Sequence, residues 1–274
     1  MSGECDGFLG IWKSGLEGTG RSTGELHMKQ LLIYEQPLAL NRHQHRHLRL
    51  KAELGGYGFA SHLNSVPLTT VEFAQAARDF PIVFAGTPDD ASMPAALLGL
   101  DKDDNLFVDA QGQWAADVYV PAFLRRYPFV VASKDESPED FTVCVEHAFV
   151  TTDDKGLPLF EESGDDAPAL QRAVSFLADY QNEVRRTEVM MQQLREHKLL
   201  IERTLKVERS GNEPQSLSGF CVVDEARLQK LGAKALEKLS RSGSLGLLYV
   251  HLMSLTNVQR LSTRWDARAR SPRH

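Results

Sequence analysis

The sequence predicts an α+β fold: an antiparallel or mixed sheet with flanking helices, followed by a mainly helical C-terminal region. Up to about residue 150, short apolar runs alternate with turns and brief helical patterns. Closely spaced hairpins of this kind favour antiparallel strands with helices on one face of the sheet. After about residue 166, apolar residues recur at helical spacing. We therefore expect a leader at 1–27, a sheet region at 28–150 and a helical region at 151–274, the last two packed as one composite domain.

The composition is that of an ordinary globular protein and narrows the function classes. Of the 274 residues, 42% are hydrophobic and 25% are charged. The formal net charge of -6 argues against nucleic-acid binding. No apolar run reaches the ~18–20 residues of a membrane-spanning helix, and no signal-peptide pattern is present. Three widely separated cysteines fit a reducing compartment. The sequence therefore predicts a soluble, cytoplasmic protein of unspecified oligomeric state.

Residues 1–27 are rich in glycine, serine and threonine and show no sustained hydrophobic period. They are typical of a loose leader, with Met28 as an alternative start of the chain; an ordered N-terminal arm is the other interpretation. We predict that a chain beginning at Met28 melts within a few degrees of the full chain. A large loss of melting temperature would show instead that the leader is an ordered arm.

The first strand-like run lies at 30–34, and a histidine-rich segment follows it. His43, His45 and His47 alternate, so a strand would place all three imidazoles on one face. Imidazoles arranged in this way can bind a metal, but no further histidine or carboxylate lies at a recognised companion spacing. The segment is therefore interpreted as an exposed polar edge strand, and we expect neither a metal nor another cofactor.

The next segments predict a bend, a capped helix and a buried strand. The glycines at 55, 56 and 58 do not match the phosphate-binding G-x-G-x-x-G spacing. Thr69 and Glu72 have the spacing of a capping box, and apolar residues continue at helical spacing to Phe80. The apolar run at 82–84 indicates a buried strand.

The segment 105–129 contains the densest set of structural signals and is taken as the centre of the fold. The apolar run 106–108 is strand-like, and the turn after it includes Gly112, which is free to take a positive φ. Pro121 suits the first turn of a helix, which Pro128 ends. Further on, alternation at 141–145 predicts a half-buried strand.

The rest of the chain predicts helices and one strand. Residues 151–166 carry two acidic doublets among glycine and proline, which is typical of an exposed loop or linker. An apolar stripe then runs imperfectly into Met190 and Met191, which predicts two helices or one bent helix, with both methionines in the core. A strand at 220–223 precedes a helix capped by Asp224, and another helix follows at 234–240.

The last helix is expected to begin with Ser244 as its cap and to bury an apolar face. His251 borders that face, and a core histidine is preferred to a catalytic one. Arg260, Arg264 and Arg268 recur every four residues. They are interpreted as a solvated face that interacts favourably with the helix dipole.

The candidate binding site combines arginines with aromatic residues. Its members are Trp114, Tyr119, Arg125, Arg126 and Tyr127, with His45 as a further candidate. An arginine beside aromatic rings can hold a carboxylate or stack on a ring. On a helix the adjacent arginines point about 100° apart. We therefore expect one structural arginine, paired with Asp109 or Asp117, and one that reaches solvent beside Trp114 or Tyr119. The alternative is that the aromatic residues are core and both arginines pair locally.

An ordered series of motifs resembles the bacterial SapC family over about residues 29–262. The matching text includes Leu40-Asn41, Phe80-Pro81-Ile82-Val83-Phe84, Asn105-Leu106-Phe107-Val108-Asp109, Tyr119-Val120-Pro121-Ala122-Phe123, Arg125-Arg126-Tyr127-Pro128-Phe129 and His251-Leu252. The resemblance implies a role linked to a bacterial surface layer or to outer-membrane uptake, and it brings no catalytic residue set. A permease activity would need several apolar spans, which the sequence lacks.

Two classes of function are compatible with these observations. The first is a non-catalytic binding or accessory protein that binds a protein partner or a small anionic ligand. The second is an enzyme, although the G-x-S-x-G, Walker and H-E-x-x-H motifs are missing. An enzyme would assemble its site from scattered residues such as His45, Glu72, Asp109, Arg125 and Arg126. Perturbed pKa values converging in one cleft would favour the enzyme, and a flat apolar patch would favour the accessory protein.

Overall fold

The computed structural model describes residues 33–52, 55–91, 93–133, 141–207 and 215–270. The leader at 1–27 and most of the run at 30–34 lie outside these residues. The chain divides into two compact units. The first unit contains Tyr57–Phe123 and the described residues from Glu183 onward, and the second contains the described residues up to Gly56 together with Leu124–Asn182.

Antiparallel strands and helices build both units, which confirms the α+β prediction. In chain order the strands are β1 (Pro37–Ala39), β2 (Arg49–Leu50), β3 (Ser65–Pro67), β4 (Ile82–Ala85), β5 (Met93–Leu97), β6 (Phe129–Ser133), β7 (Phe141–Glu146), β8 (Val150–Thr151), β9 (Leu157–Pro158), β10 (Leu200–Val207) and β11 (Gln215–Val223). The helices are α1 (Phe73–Ala76), α2 (Ala122–Arg125), α3 (Pro168–Glu196), α4 (Glu225–Gln229), α5 (Ala233–Arg241), α6 (Ser244–Ser254) and α7 (Asn257–Arg270).

The first unit contains a five-stranded antiparallel sheet in the order β10-β11-β4-β5-β3. β4 and β5 are buried at every position, which explains their continuous apolar sequence. The buried strand predicted at 82–84 and the strand predicted at 220–223 are confirmed. β10 was not predicted, because its sequence mixes charged and apolar residues and its place in the sheet depends on pairing with β11.

Gly219 forms a bulge in this sheet. The pairing of β10 with β11 changes register between Arg203 and Leu205, so two residues of β11 lie opposite one residue of β10. Gly219 has a φ of 86°, a left-handed conformation that glycine adopts without steric cost. Its carbonyl accepts a hydrogen bond from Gly86 N at 3.1 Å, which ties the bulge to the end of β4.

The C-terminal helices of the first unit differ from the single last helix that was predicted. α6 packs against β4, β11, α1 and α5, and α7 begins anew at Asn257, whose side chain donates to the carbonyls of Ala77 and Phe80 at 2.7 and 3.2 Å. Ser244 is the first residue of α6 and not its cap. Its hydroxyl donates to Gln193 Oε1 at 2.7 Å.

The interpretation of the α7 arginines as a solvated face holds only in part, because Arg260 is exposed but Arg264 and Arg268 are half-buried. Arg260 donates to Arg78 O at 2.7 Å, and the Arg264 guanidinium lies 4.6 Å from the centre of the Phe107 ring. Arg268 forms an ion pair with Asp104 at 2.7 Å and also donates to two nearby carbonyls. Helical spacing correctly predicted the shared face but could not predict what that face contacts.

The strand and turn predicted at 106–112 are present only in part: the turn forms, but there is little regular strand. A single bridge pairs Val108 with Trp114, and the turn between them includes Gly112 with a φ of 75°. Asp109 holds this turn, because its carboxylate accepts from Gln111 N and Gln113 N at 2.9 and 2.8 Å.

The second unit contains two three-stranded antiparallel sheets, in the orders β1-β7-β6 and β8-β2-β9. Its core includes Leu50, Phe129, Val145, Leu159, Phe160, Leu170 and Leu177. The strand predicted at 141–145 is confirmed as β7, but Cys144 and Glu146 are buried as well, so the strand does not have one solvated face. The segment 151–166 is not entirely an exposed loop, because it contributes β9 and two core residues.

α3 crosses from the second unit into the first as one continuous helix of 29 residues, and not as two helices. Met190 and Met191 are buried on it, as predicted. Neither α3 nor any other helix in the described part of the chain is long and apolar enough to cross a membrane.

The histidine-rich segment is a turn and not an edge strand. Asn41 Oδ1 accepts from His43 N and Gln44 N at 2.9 and 3.2 Å, and His45 N donates to Asn41 O at 2.8 Å. An asparagine side chain that bonds nearby backbone in this way competes with strand pairing. The three imidazoles therefore do not share one strand face.

Candidate functional site

The residues singled out in the sequence fall into two groups that belong to different units. Trp114, Tyr119 and Glu72 lie in the first unit, and His45, Arg125, Arg126 and Tyr127 lie in the second.

Glu72 is the acceptor that connects several residues of the first group by hydrogen bonds. It is only 3% exposed, and each carboxylate oxygen accepts two hydrogen bonds. Oε2 accepts from Thr69 N at 2.8 Å and from the Thr69 hydroxyl at 2.9 Å. Oε1 accepts from Ala122 N at 2.7 Å and from the Tyr119 hydroxyl at 3.0 Å. A carboxylate has about four acceptor positions, and these four donors occupy those of Glu72.

The local sequence places Glu72 in this position. The capping box predicted for Thr69 and Glu72 is confirmed at a 3-10 turn spanning Thr70–Glu72, just before α1. Thr70 N donates to the Thr187 hydroxyl of α3 at 2.9 Å, which fixes the start of the turn. The Glu72 side chain therefore joins the entry of α1 to the entry of α2, which is a structural arrangement.

Tyr119 and Trp114 also make structural contacts inside the first unit. Tyr119 N donates to Asp79 Oδ2 at 3.0 Å, and its hydroxyl donates to Glu72. The Trp114 ring stacks on Phe107, with centroids 5.9 Å apart, and lies 5.5 Å from Tyr57. These contacts correspond to the interpretation of both aromatic residues as part of the packing.

The second group contains a buried arginine among tyrosines, here called the tyrosine–arginine cluster: Tyr34, Arg126, Tyr127 and Tyr180. Arg126 is 3% exposed, and its guanidinium carbon lies 5.8 Å from the Tyr34 ring centre and 5.3 Å from that of Tyr180. Cation–π attraction is strongest at such desolvated sites. Tyr34 also contacts the Tyr127 ring at 5.4 Å, so the cluster surrounds Arg126 from several parts of the chain.

The pKa values of two phenols in this cluster, Tyr34 and Tyr127, are raised. Burial raises the pKa of Tyr34 well above its ordinary value, although Arg126 opposes the effect. Burial, with the nearby carboxylates of Glu146 and Glu35, raises the pKa of Tyr127 to about 12. The Tyr34 hydroxyl donates to Phe129 O at 2.6 Å, so its proton takes part in a structural hydrogen bond to the backbone.

Arg125 differs from its neighbour, as the sequence predicted for adjacent arginines. Its side chain is exposed, and its guanidinium carbon lies 5.4 Å from the centre of the Phe176 ring on α3. The split into one buried and one exposed arginine is confirmed. The predicted partners, Asp109 or Asp117 and Trp114 or Tyr119, belong to the first unit, and that part of the hypothesis stays a prediction. An aromatic ring beside a guanidinium restrains the orientation of the guanidinium plane.

His45 has a local role in its turn. Its Nδ1 accepts a hydrogen bond from Asn41 N at 3.1 Å, which places the proton of a neutral imidazole on Nε2. Within the described ranges, no group of three or more histidine, cysteine, aspartate and glutamate side chains is arranged to hold a metal ion.

Sequence reasoning missed Tyr34, Tyr180 and Phe176. A signal for Tyr180 was present, because it lies three residues after Leu177 and four before Val184, on the apolar stripe of α3. Tyr34 and Phe176 carried no comparable signal, because their contacts with the arginines join segments far apart in the chain.

The fold and these contacts describe an α+β protein with a carboxylate hub and an arginine displayed on an aromatic ring. The chain belongs to the SapC family, whose model matches residues 40–261, most of the chain. No curated protein and no solved structure matches it significantly.

Proposed function

We propose that this protein is a non-catalytic binding or accessory protein, and that Arg125 anchors an anionic group of a protein partner or a small ligand. The proposal is supported by the contact of Arg125, an exposed residue, with the Phe176 ring. A planar guanidinium can donate two parallel hydrogen bonds to a carboxylate or phosphate. Restraint by the ring reduces the conformational entropy that such binding costs.

The neighbouring residues support this role. Arg126 is buried among tyrosine rings. This burial fixes the backbone at the end of α2, which carries the Arg125 side chain. Tyr127, two residues further on, keeps its proton at neutral pH. The fully bonded Glu72 supports a protein without a catalytic carboxylate at that position.

The proposed setting is support of bacterial surface-layer or outer-membrane uptake functions, from the cytoplasm. The family resemblance supports the first part. The two described cysteines, Cys144 and Cys221, are free and buried, which fits a reducing compartment.

The test is recovery of partners from the native host on immobilised protein, followed by mass spectrometry. Replacing Arg125 with glutamate reverses the charge at the proposed anchor and should remove the partners that the wild type retains. Raising the salt from about 0.1 M to 1 M shortens the Debye length from about 10 Å to about 3 Å. The same partners should therefore elute with salt.

Arg42→Glu is the matched control, because Arg42 is an exposed arginine on the same unit, in the histidine-rich turn and not on α2 or α3. It should leave recovery unchanged. Arg126→Ala should instead lower the free energy of unfolding by about 1–3 kcal/mol, since it removes a buried group that its neighbours contact. Equal recovery by wild type and Arg125→Glu would show that this surface has no binding role.

A further inference from the structure

Two arginines of α7, Arg260 and Arg264, form no ion pair with any carboxylate in the described part of the chain. Arg268, one turn further on, does form one. Arg260 uses only Nη1, which donates to Arg78 O at 2.7 Å and to Asn257 Oδ1 at 3.4 Å. The Arg264 guanidinium donates no hydrogen bond to a described residue, and its nitrogens reach solvent. Most N–H groups of the two side chains can therefore donate to a bound acceptor.

The two guanidiniums lie near each other although they repel. Residues four apart lie on the same side of a helix, about 5–6 Å apart at Cβ, and like charges there are destabilising. Arg264 is half-buried, with its guanidinium carbon 4.6 Å from the centre of the Phe107 ring. Desolvation by burial and the charge of Arg260 lower the pKa of Arg264, and the carboxylate of Asp79 opposes the shift. Positive charge is therefore concentrated at a partly desolvated position.

The helix dipole does not account for this pair. Cations are stabilised near the C-terminus of a helix, and the effect falls off beyond its last turn. α7 spans Asn257–Arg270, so Arg260 lies in the first turn, where the dipole disfavours a cation, and Arg264 lies mid-helix. An anion bound between the two guanidiniums would relieve both their repulsion and the unfavourable dipole interaction.

We propose that Arg260 and Arg264 bind the phosphate group of a small ligand, which is either free phosphate or a phosphate monoester. Two adjacent guanidiniums can donate to the several oxygens of a tetrahedral phosphate, whereas one guanidinium already satisfies a planar carboxylate. A phosphate group carries up to two negative charges at neutral pH, which matches the two arginines. The net charge of -6 disfavours a nucleic acid or an anionic membrane as the source of the phosphate, because the whole protein repels such polyanions.

The proposal is independent of the proposed role of Arg125. α7 belongs to the first unit and Arg125 to the second. A variant at one site therefore leaves the other site intact, and either proposal can fail alone.

Titration of the full chain with inorganic phosphate, followed by phosphorus NMR, tests the proposal. We expect a dissociation constant of about 0.1–5 mM for so small a ligand. Arg264→Gln and Arg260→Gln each remove one charge and should weaken binding at least about tenfold. Arg264→Lys keeps the charge but not the planar donor group, so it should weaken binding only about threefold.

Asp79→Asn should have the opposite effect and strengthen phosphate binding about two- to fivefold, because it removes a negative charge that acts on Arg264. Asparagine keeps an oxygen that can accept from Tyr119 N, which now donates to Asp79 Oδ2 at 3.0 Å. A variant that only loosened the fold would weaken binding. Tighter binding therefore separates a bound anion from a structural effect, and a loss of binding in this variant would contradict the proposal.

Arg270→Gln is the matched control, because Arg270 is an exposed arginine on the same helix. It should bind phosphate like the wild type, and circular dichroism melts check that each variant is folded. Phenyl phosphate that binds more tightly than inorganic phosphate would identify a monoester as the ligand, and the reverse order would identify free phosphate.

Two results overturn the proposal. One is a wild type that binds neither phosphate probe, or that binds both no better than Arg264→Gln does. The other is retention of the wild type only on phosphatidylcholine vesicles that contain phosphatidic acid, which would assign the arginines to a membrane surface instead.

Discussion

Replacing Glu72 with leucine should lower the free energy of unfolding by about 3–5 kcal/mol, because each buried donor that loses its acceptor costs about 1–3 kcal/mol. Two of the four donors are the buried backbone amides of Thr69 and Ala122. Leucine offers them no acceptor, and water has little access to a residue that is almost completely buried. Chemical denaturation with urea measures the loss.

Glu72→Gln should lie between leucine and the wild type. Glutamine keeps one oxygen, but its amide nitrogen must face either the Thr69 donors or the Tyr119 and Ala122 donors. Glu188→Leu is the control, because Glu188 is an exposed glutamate on α3, and surface changes of this kind stay within about 0.5 kcal/mol. A Glu72→Leu protein as stable as this control would contradict the structural role.

The result also separates two functions for Glu72. A catalytic carboxylate is held in an arrangement that favours reaction, and its replacement often leaves stability unchanged or increases it. Where the carboxylate is structural and accepts from four donors, its replacement must lower the free energy of unfolding of the protein. A large loss would therefore weaken the hypothesis of an enzyme that uses Glu72.

Signals confined to a few neighbouring residues predicted local structure correctly. The Thr69 and Glu72 spacing predicted a capping box, and Asp224 was predicted as a cap and accepts from Arg227 N at 3.1 Å. The glycine at 112 was predicted in a turn and has a positive φ. Each signal depends on hydrogen bonds within one turn of chain, so the sequence contains all the partners.

Patterns without a specified partner were less reliable. Alternating histidines resemble a strand, but a strand needs a neighbour to pair with, and Asn41 supplies hydrogen bonds for a turn instead. The arginines of α7 had the correct spacing, but their acceptors at Arg78 and Asp104 are far away in sequence. Spacing predicts which side chains share a face and not what that face meets.

At the candidate site, too, local sequence predicted one feature, and a second feature depended on distant residues. The 100° rotation between adjacent helical residues predicted that Arg125 and Arg126 would have different environments. It could not predict which one is buried, because that depends on Tyr34 and Tyr180. Both tyrosines reach Arg126 only after distant segments have folded together.

Acid should destabilise the protein partly through His251, by about 3 kcal/mol between pH 7 and pH 4. His251 is fully buried, and its Nε2 accepts a hydrogen bond from Val223 N at 3.1 Å. Burial lowers its pKa from the ordinary 6.5 to about 4. The unfolded chain therefore takes up a proton below pH 6.5, whereas the folded chain resists protonation until about pH 4. Stability falls as pH drops through this window, and the contribution changes no further below it.

The measurement is urea denaturation of the wild type and of His251→Gln at several pH values between 7 and 4. Glutamine can still accept from Val223 N but does not titrate, so this variant should lose about 3 kcal/mol less stability over the range. Carboxylates that titrate in the same range contribute to both proteins and cancel in the difference. His147→Gln, at an exposed histidine, should follow the wild type.

Parallel pH profiles for wild type and His251→Gln would mean that the imidazole reaches water or a proton acceptor in the folded protein. The Phe84 ring, 4.8 Å from the imidazole, and the β11 amide argue against that outcome, because both hold the neutral ring between α6 and the sheet.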